Sequence, residues 1–250
     1  MSPEFFKGFG GTQLALHRLG AGRPVILLHG LFSSAEMNWM RFGHAQALAD
    51  AGFEALMPDL RAHGDSAKPH DAASYPADVL ARDAQALVAH LGLIDYDLVG
   101  FSLGARTSVR AVLAGLRPRQ LVLGGMGLAG LAGWGNRADF FLDVIARFGT
   151  IRPGDPAYMA QQFMKSMNVD REAVRLLLGT MTNTAPEALA AITMPTLILC
   201  GAQDDDNGDP DALAAALPDA IRVTIPGTHM SSVTQPEMAR ELVSFLTTSD

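Results

Sequence analysis

The chain has 250 residues, 48% of them apolar and 18% charged, enough apolar material for one large α/β domain or two small ones. Its formal net charge of -7 disfavours nucleic acid and anionic membrane as partners, because both select for basic faces. A single cysteine, Cys200, excludes an intrachain disulfide and a cysteine-based zinc cluster. No apolar run approaches the roughly 18 residues needed to span a bilayer, and no signal-like leader opens the chain, so the expectation is a soluble, cytoplasmic protein.

In chain order, Glu4 to Phe9 and Thr12 to Leu19 flank Gly10-Gly11 and read as a β-hairpin. The apolar run Val25 to Leu28 has the character of a strand covered on both faces and ends in His29-Gly30-Leu31-Phe32. Ala35 to Ala51 reads as a helix closed by Gly52, and Phe53 to Met57 as a further strand leading into the polar loop Pro58 to Ser66. Pro76 to Leu91 carries helical apolar spacing at Val79, Leu80, Ala84, Leu87, Val88 and Leu91.

Next comes a buried-type strand, Tyr96 to Phe101, followed by a helix from Ala105 to Leu116. Gln120 to Leu123 repeats the strand pattern. From Gly124 to about Ile192 no strand candidate occurs; helical segments over Ala138 to Phe148, Pro156 to Met167 and Arg171 to Leu178 read as an insertion. The alternation then resumes with Thr196 to Cys200, a helix Pro210 to Leu217, the strand Ile221 to Ile225 and a helix Pro236 to Leu246. Alternating strands and helices predict parallel βαβ units with right-handed crossovers.

Ser102 stands at the strand-to-helix junction inside Gly100-Phe101-Ser102-Leu103-Gly104. In this GxSxG pattern a sharp turn lifts the hydroxyl above the sheet edge, and the flanking glycines remove Cβ atoms that would clash with strand and helix. Taken alone, the pattern could be a glycine-flanked serine capping an ordinary helix. Two other strand ends decide the matter. Thr196 to Cys200 leads into Gly201-Ala202-Gln203-Asp204, and Ile221 to Ile225 into Pro226-Gly227-Thr228-His229. Ligands of open α/β sheets bind beyond the carboxyl ends of the strands, so Ser102, Asp204 and His229 fall where chemistry belongs, in the chain order Ser, Asp, His.

With these landmarks the whole chain resembles the α/β-hydrolase fold family, of the small serine esterase type. It carries His29-Gly30, Asp59-Leu60-Arg61-Ala62-His63-Gly64-Asp65-Ser66, the Ser102 elbow, Gly201-Ala202-Gln203-Asp204 and His229 in family order. The implied architecture is a mostly parallel central sheet flanked by helices, with a small helical cap inserted after the sixth strand: residues 1–125 and 193–250 form the core and 126–192 the cap. Ala62 and Thr228 stand where the family usually has glycine, so those two turns are open to local change.

The expected chemistry is hydrolysis of small, mostly apolar carboxylic esters through an acyl-enzyme, without cofactor or metal. A serine hydroxyl is a weak nucleophile and needs a base such as His229, which Asp204 would orient. Asp205 and Asp206 are rivals for the acid role, but they run into the Asn207-Gly208 turn and are expected to face solvent. The Leu103 amide, in the first turn of the elbow helix, supplies one oxyanion donor. By resemblance the second is the amide of Leu31, with Phe32 as the fallback.

His29 is expected to brace the oxyanion turn and His63 to fix its own loop by hydrogen bonds, while His17, His44, His70 and His90 read as surface or strand-edge residues. Phe32, Met126, Leu128 and Trp134 are candidates for an apolar substrate pocket beneath the cap. Serine at position 102 disfavours dehalogenase and epoxide hydrolase chemistry, which in this family uses an aspartate nucleophile. Thioesterase, lactonase, carbon-carbon bond hydrolase and cofactor-free perhydrolase activities share the same three residues, and a slow-turnover receptor-like protein is an alternative from another class. The expected partner is a small-molecule ester-like substrate, with the protein a monomer or small homo-oligomer.

Overall fold

The computed structural model describes residues 2–248, so Met1, Ser249 and Asp250 at the ends of the expected core range lie outside the described residues. Eight strands form one sheet: β1 (Glu4–Lys7), β2 (Gln13–Gly20), β3 (Arg23–Leu28), β4 (Phe53–Pro58), β5 (Asp97–Phe101), β6 (Leu121–Gly124), β7 (Thr196–Gly201) and β8 (Ala220–Ile225). Their spatial order is β1-β2-β4-β3-β5-β6-β7-β8. Strand β2 runs antiparallel to both β1 and β4, and every pairing from β4 through β8 is parallel.

The apolar content of the central strands follows from this arrangement. Strands β5, β6 and β7 are buried along their whole length, because helices cover both faces of a parallel sheet. On one face pack Ile26, Leu28, Leu56, Leu98, Leu123 and Ile198; Val25, Leu27, Ala55, Val99, Val122 and Leu199 belong to the other.

Ten α-helices complete the described fold: α1 (His44–Asp50), α2 (Val79–Leu91), α3 (Leu103–Leu113), α4 (Leu128–Ala132), α5 (Trp134–Ala146), α6 (Tyr158–Ser166), α7 (Arg171–Leu178), α8 (Pro210–Ala216), α9 (His229–Ser232) and α10 (Pro236–Thr247). Helices α4 to α7 lie between β6 and β7 and form the small cap after the sixth strand. Several starts are written in the sequence. Asp170 accepts the Ala173 amide at the head of α7, and Asp209 precedes Pro210 at the head of α8. Among the described residues no helix is long and apolar enough to cross a membrane.

Three readings need correction. The helix expected over 35–51 is broken: Glu36–Met40 form a π-helical turn, and Gly43, at φ 80°, separates it from α1. The helix expected from Pro76 starts at Val79, because Asp78 takes a left-handed φ of 55°. His17 and His44 are buried rather than peripheral. His17 faces the Asp59 carboxylate, and His44 bonds the Val233 carbonyl at 2.6 Å. His70 and His90 are exposed, as expected.

Candidate active site

Parallel pairing brings the carboxyl ends of β3, β5, β6, β7 and β8 to one edge of the sheet. The loops leaving that edge carry His29–Leu31, Ser102, Gly125, Asp204 and His229.

Ser102 occupies φ 53°, ψ −111°, a backbone region that a side-chain-bearing residue enters only under strain of about 1–3 kcal/mol. The surroundings hold it there. Its amide donates to the Gly124 carbonyl at 2.8 Å, and its carbonyl accepts from Arg106 in the first turn of α3. A Cβ on Gly104 would lie 2.0 Å from the Leu28 carbonyl oxygen, and one on Gly100 2.3 Å from the Gly104 backbone, so both flanking glycines are required for the helix to leave the strand this tightly.

The Ser102 hydroxyl lies 2.9 Å from His229 Nε2, and His229 Nδ1 lies 2.9 and 3.1 Å from the two Asp204 carboxylate oxygens. A carboxylate only accepts, so Nδ1–H donates to Asp204 and Nε2 is left to accept the serine proton. The Asp204 side chain is 2% exposed and that of His229 9%, so water competes little for either. The His229 ring also packs on Phe101, with centroids 5.1 Å apart. Gly125, at φ 58°, leaves room for both rings; a Cβ there would approach each to about 3.0 Å.

Local capping aims these side chains. Thr228 is the N-cap of α9: its amide donates to Ser231 Oγ while its hydroxyl accepts the Ser231 amide, and His229 follows as the first helical residue. Threonine in the place of the usual glycine therefore builds this turn rather than disturbing it. Ala62, at the other position where glycine is usual, takes a left-handed φ of 70°. The amides of Ala202 and Gln203 donate to Ile225 and Gly227, tying the Asp204 loop to the His229 loop. Asp205 and Asp206 are exposed.

Around Leu31 each neighbouring amide is engaged. Gly30 N–H donates to Asn38 Oδ1 at 3.0 Å, Phe32 N–H to His63 Nε2 at 3.0 Å and Ser33 N–H to the Gly30 carbonyl. Phe32, the fallback donor, is thereby spent, and its φ of 62° sets the turn. His29 braces the same turn, donating from Nδ1 to the Gly30 carbonyl and accepting the Leu60 amide at Nε2. Burial lowers the pKa of both His29 and His63, the latter to about 3, and keeps their acceptor nitrogens unprotonated.

The four pocket candidates have different surroundings. Phe32 meets Phe141 of α5 edge to face at 5.2 Å; Met126 is buried, its carbonyl accepting from Cys200 Sγ, and Leu128 is half-buried at the start of α4. Trp134 is turned into the cap, its indole N–H on the Leu178 carbonyl and its ring under Arg106.

Three residues that sequence reasoning passed over join the surroundings of the site. Asn38 comes inward on the π-helical turn, Asn207 donates from Nδ2 to the Gly125 carbonyl, and Arg106 reaches from α3 to the cap carbonyls of Gly130, Leu131 and Thr182. Asn207 carried only a turn signal, and the other two lie inside runs read simply as helix, with nothing in the local pattern to single them out.

His17, Asp59 and Asp65 place ligand-type atoms within 4.8 Å of one another. The Asp59 carboxylate is already taken by the amides of Ala35 and Asp65 and by His17, which makes this cluster a brace for its loop.

Comparison with known proteins agrees with this fold. Residues 23–130 match the family model described as alpha/beta hydrolase fold. A non-heme haloperoxidase of Rhodococcus erythropolis is 30% identical over 236 residues, covering 82% of this chain and 82% of that protein. An AB hydrolase superfamily protein of Bacillus subtilis, YisY, is 28% identical over 217 residues, covering 77% and 78%. The esterase EaEST of Exiguobacterium antarcticum superposes with a TM-score of 0.80 over 98% of this chain and 99% of its own, at 18% identity, a likeness of fold.

Proposed function

The chain belongs to the α/β-hydrolase fold family, and from that premise we propose that it is a serine hydrolase cleaving carboxylic esters of small, mostly apolar alcohols or acids. The observation that carries this reading is the hydrogen-bond chain from Ser102 Oγ through His229 to Asp204, with both contacts at 2.9 Å. As Ser102 attacks the ester carbonyl carbon, its proton passes to His229 Nε2, and Asp204 holds the ring and stabilises the imidazolium. The tetrahedral oxyanion is held by the amides of Leu31 and Leu103, each such donor contributing about 2.7–4 kcal/mol to the barrier reduction. The imidazolium then protonates the leaving alkoxide, and a water activated by the same histidine releases the acid. Residues 126–192 act as the cap domain; Met126 and Leu128 at its start and Phe32 from the β3 loop shape the apolar pocket, with Trp134 supporting it from within the cap.

Turnover of short-chain p-nitrophenyl esters by wild type and Ser102→Ala tests the reading. Hydrolysis that the substitution abolishes supports it; tight ligand binding with negligible turnover would favour a receptor-like role instead. The 30% identity to a protein named non-heme haloperoxidase favours one second reading, a cofactor-free perhydrolase in which hydrogen peroxide replaces water in the deacylation step. Peracid formation from acetate and hydrogen peroxide, lost in Ser102→Ala, would distinguish it.

A further inference from the structure

The turn that follows β3 is pinned on both sides of a single amide. Asn38 Oδ1 takes Gly30 N–H, His63 Nε2 takes Phe32 N–H, and the intervening Leu31 N–H donates to no group among the described residues. Gly30 lies directly against the serine: a Cβ built on it would be 3.6 Å from Ser102 Cβ and 3.6 Å from Asn38 Oδ1. Asn38 itself is 3% exposed, and its Nδ2 has no hydrogen-bond partner within the protein. A buried donor left unpaired is unfavourable, so packing alone does not explain an asparagine here, where an apolar side chain would fill the space without that penalty.

The backbone beneath Asn38 is unusual as well. Glu36–Met40 form a π-helical turn closed by the Arg41 amide on the Glu36 carbonyl, and Asn38 and Trp39 are its buried residues. A π turn accommodates an extra residue within a helix and rotates the side chains around it, and such turns occur frequently at functional sites. Here the result is an asparagine oxygen brought to the backbone amide one residue before that of Leu31.

We propose that Asn38 is a positioning residue for the oxyanion hole, its side-chain oxygen fixing the Gly30 peptide so that the Leu31 amide is aimed at the substrate carbonyl under attack by Ser102. This rests on the serine-hydrolase reading. Asn38 touches no reacting atom; it acts through Gly30, opposite His63, which holds the far side of the same turn.

The test compares wild type with Asn38→Ala, Asn38→Asp and Glu36→Gln, the last an exposed residue on the same turn. Reactive serine is titrated in each protein with a fluorophosphonate, and kcat and KM for p-nitrophenyl acetate are expressed per titrated site, which removes any misfolded fraction. Asn38→Ala should lower kcat about 10- to 100-fold, with KM within about twofold of wild type, because the lost alignment matters most once charge has developed on the carbonyl oxygen. Asn38→Asp, which keeps an oxygen for the Gly30 amide, should recover most of that loss, and Glu36→Gln should match wild type. A kcat within about twofold of wild type in Asn38→Ala overturns the proposal, as does an equal loss in Glu36→Gln or in Asn38→Asp. Failure of wild type to label at Ser102 is a separate result: it removes the serine-hydrolase reading and the positioning role with it.

Discussion

Arg106 lies over the indole of Trp134, its guanidinium carbon 5.1 Å from the ring centroid, and so joins the helix behind the Ser102 turn to the cap. The contact is part of a larger anchor. The same guanidinium donates to the carbonyls of Gly130 and Leu131 at the start of the cap and of Thr182 near its end. Burial, with the Arg110 charge nearby, brings its pKa down to about 10, so Arg106 remains cationic at neutral pH without a carboxylate of its own.

Arg106→Met should therefore loosen both ends of the cap at once. It removes the guanidinium from three carbonyls, of which only Leu131 keeps another donor among the described residues, the Thr184 amide, and it removes the cation–π contact, a loss of about 2–4 kcal/mol. At this chain length that corresponds to a fall in Tm of about 4–16 °C, read by thermal denaturation. Because the cap forms one wall of the proposed pocket, KM for short esters should rise more than kcat falls. An unchanged Tm would show that the anchor is energetically idle.

His229→Ala should lose almost all ester turnover, and Asp204→Asn about 10³- to 10⁴-fold in kcat, since the amide cannot hold the imidazole in the tautomer that leaves Nε2 free to accept. Both losses should appear with folding intact, checked by circular dichroism. Asp205→Asn and Asp206→Asn should stay within a few-fold of wild type, because both residues are exposed and neither contacts His229. A large loss at Asp205 or Asp206 with none at Asp204 would reassign the acid.

The sheet and the placement of Ser102, Asp204 and His229 were legible because they depend on patterns a sequence carries openly. Strands buried on both faces are unbroken apolar runs, and the short loop after such a run, within four residues of its end, carries the residue that reaches the site. What stayed hidden depends on distant packing. The run 35–51 has helical composition throughout, and nothing in it announces the π turn or the break at Gly43. Arg106 and His44 are polar residues in helical runs, for which the ordinary expectation is solvent; their partners, carbonyls 24 or more residues away, are brought near only by the finished fold. Asn207 was visible as part of an Asn-Gly turn, but its hold on Gly125 is not a local property.

Two glycines separate steric need from mere presence. Gly104→Ala would place a Cβ 2.0 Å from a backbone carbonyl of β3, which no side-chain adjustment relieves; it should destabilise by about 3 kcal/mol or more and abolish activity. Gly135→Ala, in the first turn of α5, meets no atom within 4 Å and should stabilise by about 0.5–1 kcal/mol through helix propensity and a less flexible unfolded chain. Urea denaturation of the two variants gives the comparison directly. Equal effects at the two positions would contradict the packing of α3 against β3.

His63 should make the fold sensitive to mild acid. Its Nε2 accepts the Phe32 amide and its Nδ1–H donates to the Arg61 carbonyl, an arrangement possible only for the neutral ring, and burial together with the nearby His29 brings its pKa to about 3. The unfolded chain, with an ordinary histidine pKa of about 6.5, therefore binds more protons than the folded one between these values. The contribution of His63 is fully present above about pH 6.5 and declines as pH falls toward 3, at up to about 1.4 kcal/mol per pH unit. Burial shifts His29 and His44 in the same direction. His17 runs the other way: the hydrogen bond to Asp59 raises its pKa, so its contribution is present in acid and lost as pH rises through the raised value. Burial alone would push the Asp59 carboxyl up, but bonds from His17 and from the Ala35 and Asp65 amides bring it to about 2, so its contribution is lost only below about pH 4. Between pH 7 and 5 the histidines held neutral should dominate. Urea titrations should show wild type losing at least about 1 kcal/mol over that interval, and His63→Gln, although less stable at pH 7, losing about 1–2 kcal/mol less. Identical pH dependence in the two proteins would mean that His63 already carries its proton in the folded state and does not hold the Phe32 amide.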